Sequence, residues 1–230
     1  MFVPLYDHNP LEHVRRPYVN WALIVVTCLV WLVVESPVGF GALAGAAYGY
    51  GLTPAVLFGD MRPFAPSALP EWTTLVTYAF VHADLWHLLG NVVFLWVFGD
   101  NVEDAMGHLR YLVFYLVAAV AAGLFHAVMM PTADGPLVGA SGAIAAVVAA
   151  YLVLHPRTKL WILAFGRIPL RLSARWPLLI WVATQFVSIF SGGDEPIGWY
   201  AHVGGLVTGA VLILVMRRPD VPLFDRGLAA

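Results

Sequence analysis

The sequence predicts an all-α membrane protein: six short transmembrane helices bundled around a water-filled cavity. Three observations lead there. The 230 residues are 60% hydrophobic and 11% charged, with mean hydropathy +0.79, whereas a soluble domain is about half apolar and a quarter charged. Six apolar runs follow one another: Val19–Val34, Leu85–Phe98, Tyr111–Met130, Ser141–Leu154, Trp176–Phe190 and Trp199–Met216. With both termini inside, Arg15, Arg16, Arg110, Arg157, Lys159, Arg167, Arg171, Arg175, Arg217, Arg218 and Arg226 all fall on the inner side, and only Arg62 falls outside. That asymmetry fixes an even number of spans.

Taken in order, residues 1–18 read as a short cytoplasmic tail, 19–216 as one membrane domain and 217–230 as a second cytoplasmic tail. The first run holds the single cysteine, Cys28, among Val25, Val26, Leu29 and Val30. A small buried hydrophobe is its expected role, and no intrachain disulfide is possible. Cleavage at Ala44-Gly45-Ala46 would make that run a signal peptide, but would leave an odd number of spans and a worse charge balance. The outer stretch Pro37–Glu71 is rich in Gly, Ala and aromatics and is expected to lie partly in the interface. Several runs fall short of the ~20 residues of an ordinary span, as expected of helices that begin at the floor of a cavity. Between the fourth and fifth runs, Pro156–Arg175 alternates five basic residues with Trp161, Ile162, Leu163 and Phe165. It reads as an interfacial stretch beside anionic membrane lipid or as a solvated loop. Trp21, Trp176 and Trp199 stand near span ends, where aromatic belts form.

Other functions are set aside on composition. A net charge of −2 with no aromatic-interleaved basic run gives no nucleic-acid surface. The eight histidines show neither H-E-x-x-H nor cysteine pairing, so no metal or cofactor is expected. His8, His13, His108 and His155 fall near the inner surface in solvated roles. His126, mid-span, is expected to hydrogen-bond a neighbouring helix.

Polar residues inside membrane spans are costly and usually functional. Ser141 opens the fourth run within Gly139-Ala140-Ser141-Gly142, and His202 lies in the sixth, so the two read as nucleophile and general base. Small faces at Ser141, Ala145 and Ala149 and at His202, Gly205 and Gly209 would let the two helices approach closely. Ser141 also starts a helix, where free N–H groups favour negative charge. Gly139 and Gly142 leave a backbone amide open to a substrate carbonyl. Before the second run, Asp84 is a candidate N-cap, which sets His87 and Asn91 on one face as oxyanion donors and leaves His82 on the loop at the mouth. No carboxylate is in register, so the chemistry reads as a Ser–His dyad.

The set His82-x4-His87-x3-Asn91, Gly139-x-Ser141-Gly142 and Ala201-His202-x2-Gly205-x3-Gly209 resembles the rhomboid family of intramembrane serine proteases. Gly99-x3-Glu103-x3-Gly107 is similar to a further family pattern, and the likeness covers about Val19 to Met216. The resemblance implies a six-helix core with Ser141 as nucleophile and His202 as base. His87, Asn91 and the Ser141 N–H would form the oxyanion hole, with His82, Glu103, Gly205 and Gly209 as structural support. Substrates would be single-span membrane proteins entering laterally past the second and fifth helices, beneath a cap at Ser191–Gly198. Short tails and a compact core look bacterial, which implies the plasma (inner) membrane. Two positions depart from the family: Thr73-Thr74 replaces a loop-bracing Trp-Arg, and Ala145 replaces an aromatic that stacks on the catalytic histidine. What orients His202 is therefore left open. The rival reading is an inactive relative that binds membrane segments without cutting them. A small transporter is disfavoured by the lack of paired repeats.

Overall fold

The computed structural model describes residues 2–36, 43–64, 70–190 and 198–225. Strand β1 (Phe2–Asp7) is followed by α1 (Tyr18–Val30), which continues as one π-helical turn over Trp31–Glu35. The outer stretch carries α2 (Leu43–Tyr50) and α3 (Pro54–Leu57), and α4 (Thr74–Thr77) leads into α5 (Leu85–Met106). Then come α6 (His108–Met129), α7 (Ser141–Leu154), strands β2 (Lys159–Ala164) and β3 (Ile168–Ser173), α8 (Arg175–Phe190) and α9 (Trp199–Met216).

Each of the six apolar runs is helical, and the protein is a membrane protein. Among the described residues three helical stretches are long and apolar enough to cross: Tyr18–Glu35, His108–Met129 and Trp199–Met216. Glu71–Phe80 with Leu85–Met106, bent by 80°, would make a fourth. Helices α7 and α8 are apolar but shorter, so length and composition alone do not reach six. The expected cap, Ser191–Gly198, falls outside the described residues but for Gly198, as do 37–42 and 65–69 of the outer stretch.

Helix α7 is the centre of the bundle. Eleven of its 14 residues are buried, which is why its sequence is apolar on every side instead of amphipathic. Small residues let the neighbours press in. A Cβ on Gly205 of α9 would collide with the Gly142 carbonyl oxygen, and one on Gly209 with that of Ala146. At the other extreme, α8 buries only Pro177, Leu178 and Gln185.

The all-α expectation needs correcting at the end of the bundle where α7 finishes. There β1, β2 and β3 form an antiparallel sheet in that order, with Phe2 opposite Ala164 and Lys159 opposite Ser173. The stretch Pro156–Arg175 is therefore an ordered hairpin and not a loose loop. Its alternating pattern has a period of two, and Phe165 and Gly166, both at positive φ, make the tight turn between strands. The N-terminal residues are not a free tail either: they supply the third strand.

Helix α5 runs to Met106, well past the predicted Phe98, because the polar residues that end the apolar run are buried inside the protein. Pro17 caps α1 with no side chain. Instead the Glu103 carboxylate accepts the Val19 N–H at 3.1 Å and the Asn20 N–H at 2.7 Å and contacts His108 Nδ1. Those N–H groups open α1 and have no intrahelical partner, so an anion suits them. Gly99 leaves the space in which Tyr111 Oη donates to Asn20 Oδ1 at 3.0 Å. Gly107, at φ 84, breaks the chain between α5 and α6. Asp104 accepts from the Glu12, His13 and Val14 N–H groups at 3.1, 2.7 and 2.6 Å. His13, His108 and His155 are thus ion-pair candidates with Asp104, Glu103 and Asp225, not merely solvated. The C-terminal segment folds back onto the bundle, where Asp225 N–H donates to the Leu154 carbonyl at 3.0 Å. At the opposite end, Thr73 and Thr74 hydroxyls each bond a carbonyl of their own turn, those of Pro70 and Glu71.

Asp7 of β1 is buried, and Tyr151 Oη donates to its Oδ2 at 2.6 Å. Burial outweighs that hydrogen bond and pushes the carboxyl up from the ordinary 3.8 to about 6. The native state therefore holds this proton more tightly than the unfolded chain, and stability falls as pH rises from ~4 to ~6. Above that window the cost is about 2–3 kcal/mol. Asp7→Asn, neutral and still able to accept from Tyr151, is expected to raise the thermal midpoint in detergent at pH 7.5 but not at pH 4.5. An equal change at both pH values would contradict this account.

Candidate active site

The site is assembled from the ends of four helices. Asp84, extended at φ −161°, accepts the His87 N–H at 2.8 Å and caps α5 as the sequence predicts. His87 is then held at the third helical position, with Asn91 one turn below. Asn91 Nδ2 donates to the His87 carbonyl at 3.0 Å. An amide has two N–H donors, so one remains for another acceptor.

Facing this edge is the loop into α7. Gly139 takes φ +115°, and a Cβ there would collide with the His87 ring; no other residue fits both demands. Its N–H donates to the Tyr78 carbonyl at 2.9 Å. The next N–H, of Ala140, donates to His82 Nε2 at 3.4 Å. His82 is fully buried, not at the mouth as expected. It is pinned from behind, since its own N–H donates to Glu35 Oε2 at 2.7 Å. Sequence reasoning passed over Glu35 altogether, although a glutamate ending an apolar run was the available signal. The His82 and His87 rings stand 5.1 Å apart.

Ser141 is the first residue of α7 and is half-buried. Its Oγ lies 2.7 Å from Nε2 of His202 on α9. The two residues are 61 positions apart and meet because Gly205 seats α9 against α7. Gly142 does not face this opening, contrary to expectation. A Cβ on it would meet the Ala122 Cβ at 2.8 Å and Tyr78 Oη at 3.2 Å, so its lack of a side chain serves packing against α6.

The group behind His202 comes from α8. His202 Nδ1 lies 2.7 Å from Gln185 Oε1. The Trp181 ring sits 6.2 Å away at 33° and Trp199 stands edge-on at 5.7 Å. Neither Gln185 nor Trp181 was flagged in the sequence, since one amide in an apolar run reads as a helix–helix bond. The buried Nδ1 of His126 has no hydrogen-bond partner among the described residues, so the expected interhelical bond is not made there. Among the described residues no three His, Cys, Asp or Glu side chains converge to hold a metal.

The geometry tests through Gly205. Gly205→Ala should force α7 and α9 apart at a cost of about 1–3 kcal/mol, lowering the thermal midpoint and weakening the Ser141–His202 contact. Gly49→Ala, with nothing within 4 Å of the added carbon, should leave stability unchanged or improved. Equal midpoints for the two variants would refute the close approach.

Comparisons with known proteins agree on one family. A family model described as the rhomboid domain matches residues 69–219. The chain is 30% identical over 161 residues to RHOMBOID-like protein 12, mitochondrial, of Arabidopsis thaliana, covering 63% of this chain and 46% of that protein. It is 29% identical over 160 residues to the rhomboid protease GluP of Bacillus subtilis, covering 69% and 29%. It is 22% identical over 209 residues to the rhomboid protease GlpG of Klebsiella pneumoniae, covering 89% and 65%. The chain spans about half the length of the curated relatives it matches. Those relatives include mitochondrial and chloroplast proteins as well as bacterial ones, so the expected bacterial plasma membrane gains no support.

Proposed function

Because this chain belongs to the rhomboid family, we propose that it is an intramembrane serine endopeptidase that cleaves membrane-spanning segments of other proteins. The observation that carries the reading is the 2.7 Å contact between Ser141 Oγ and His202 Nε2, made across two helices of an apolar bundle. His202 Nε2 takes the hydroxyl proton as Ser141 Oγ attacks the scissile carbonyl. The proton then passes to the leaving amine, and a water activated by the same imidazole releases the acyl group. Negative charge on the carbonyl oxygen falls to the Ser141 N–H, the His87 imidazole and the second N–H of Asn91. His82, tied to Glu35 and to the Ala140 N–H, holds the loop that aims the first of these.

All six apolar helices are proposed to cross or enter the membrane, with both termini on the inner side and substrates arriving laterally from the bilayer. A glycine-lined contact in place of bulky side chains supports a dyad fixed by packing, and two named proteases among the relatives support the reaction class.

The test is cleavage of a single-span model substrate by purified protein. Wild type should cut, and Ser141→Ala and His202→Ala should each lower the rate by about 10³-fold or more. A fluorophosphonate probe should label Ser141 and fail in His202→Ala. Asn91→Ala should lower kcat by about 10²-fold with little change in KM. Undiminished cleavage by Ser141→Ala would discard the assignment. Binding of the substrate without cleavage or labelling would favour the inactive, segment-capturing alternative.

A further inference from the structure

We infer that Gln185 is the positioning residue of the general base, making the site a Ser–His–Gln arrangement whose third member is delivered by α8. This rests on the roles proposed for Ser141 and His202. Helix α8 is the most exposed of the long helices, yet Gln185 on it is 2% exposed. A long amide buried on an otherwise open helix needs a partner, and it has one at each end. Its Nε2 donates to the Trp181 carbonyl at 2.8 Å and to Thr184 Oγ1 at 3.1 Å. Turning the amide over would set its oxygen against the Trp181 carbonyl oxygen, two acceptors with no proton between them. Oε1 is therefore the atom that faces His202 Nδ1 at 2.7 Å.

An amide oxygen can only accept. His202 must carry its proton on Nδ1, which leaves a lone pair on Nε2 pointing at Ser141 Oγ. That is the tautomer a general base needs. The same bond fixes the ring plane. A neutral amide does this without adding a charge, which in an apolar bundle would favour imidazolium and remove the base. Ala145 leaves the room: it is fully buried and faces Gly205, and Trp181, one turn before Gln185, lies beside the His202 ring instead. Since α8 buries only Pro177 and Leu178 besides Gln185, the base is set only while the outer part of this helix stays seated.

The experiment uses the full chain in detergent with two variants. Gln185→Leu keeps the bulk and removes the acceptor; Gln185→Glu keeps the acceptor and adds charge. In wild type, ¹⁵N-histidine spectra should show His202 as the single Nδ1-protonated tautomer, assigned by difference from His202→Gln. Gln185→Leu should mix the tautomers and lower kcat on the order of 10²-fold, with KM unchanged. Gln185→Glu should restore part of that kcat and move the acid limb of the kcat/KM profile to higher pH, because a carboxylate at Nδ1 favours the protonated ring. A pure tautomer and wild-type kcat in Gln185→Leu would overturn the inference, as would an unmoved acid limb in Gln185→Glu. A tautomer fixed in wild type and lost in Gln185→Leu, in a protein that cleaves nothing, would uphold the positioning role and reject the protease reading.

Discussion

The close approach of α7 and α9 is the constraint on which the rest of the structure depends. Gly205 and Gly209 bring one helix onto backbone oxygens of Gly142 and Ala146, a contact no side chain larger than hydrogen permits. In a membrane, helices gain little from the hydrophobic effect when they associate, so close packing and interhelical hydrogen bonds must hold them. That packing is also what sets Ser141 and His202 at hydrogen-bond distance. At this contact, packing of the bundle and alignment of Ser141 with His202 are consequently coupled.

Around that axis the buried polar groups divide between two ends. At one end, the inner one in the proposed topology, Glu103 and Asp104 accept backbone N–H groups of residues 12–14 and 19–20. These carboxylates act as caps for a chain segment that has none of its own, tying the first helix to the second of the six. At the outer end Glu35, His82 and the Ala140 N–H form a similar chain of contacts, but one that leads to the loop opening α7. The inner set fixes the frame and the outer set fixes the site. Both use the same device, a side chain from one segment satisfying backbone N–H groups of another.

Much of this was legible in the sequence because period and polarity speak plainly in an apolar chain. The bounds of α7 and α9 followed from where apolar residues begin and end, and the Asp84 cap from its type and place. Ser141 and His202 stood out because a polar residue in such a run needs a cause. What was not legible depended on tertiary contact. Helix α5 was cut short at Phe98 since Gly99–Asp104 reads as polar and therefore outside, when those groups are buried against the N-terminal segment. The sheet was missed because β1 and β2 are some 150 residues apart and period-two alternation among arginines also suits a solvated loop. Gln185 was invisible for the same reason: nothing in Trp176–Phe190 says which of its faces turns inward.

The length of α7 bears on how such a site can hold water chemistry. Fourteen residues rise about 21 Å, against about 30 Å of hydrocarbon. In the proposed reading, with Leu154 and His155 at the inner boundary beside the sheet and the Asp225 segment, Ser141 would lie about 9 Å below the outer one. A full-length helix would carry its first residue to the surface and into bulk solvent. A helix truncated by about six residues keeps its free N–H groups and its hydroxyl inside, and the loop 136–140 must fill the level above. Gly139 is therefore under two demands at once. It has to turn the chain downward into the helix at positive φ, and it has to do so flat against the His87 ring. On that reading the depth of the serine and the placement of the proposed oxyanion donors follow from the same short helix.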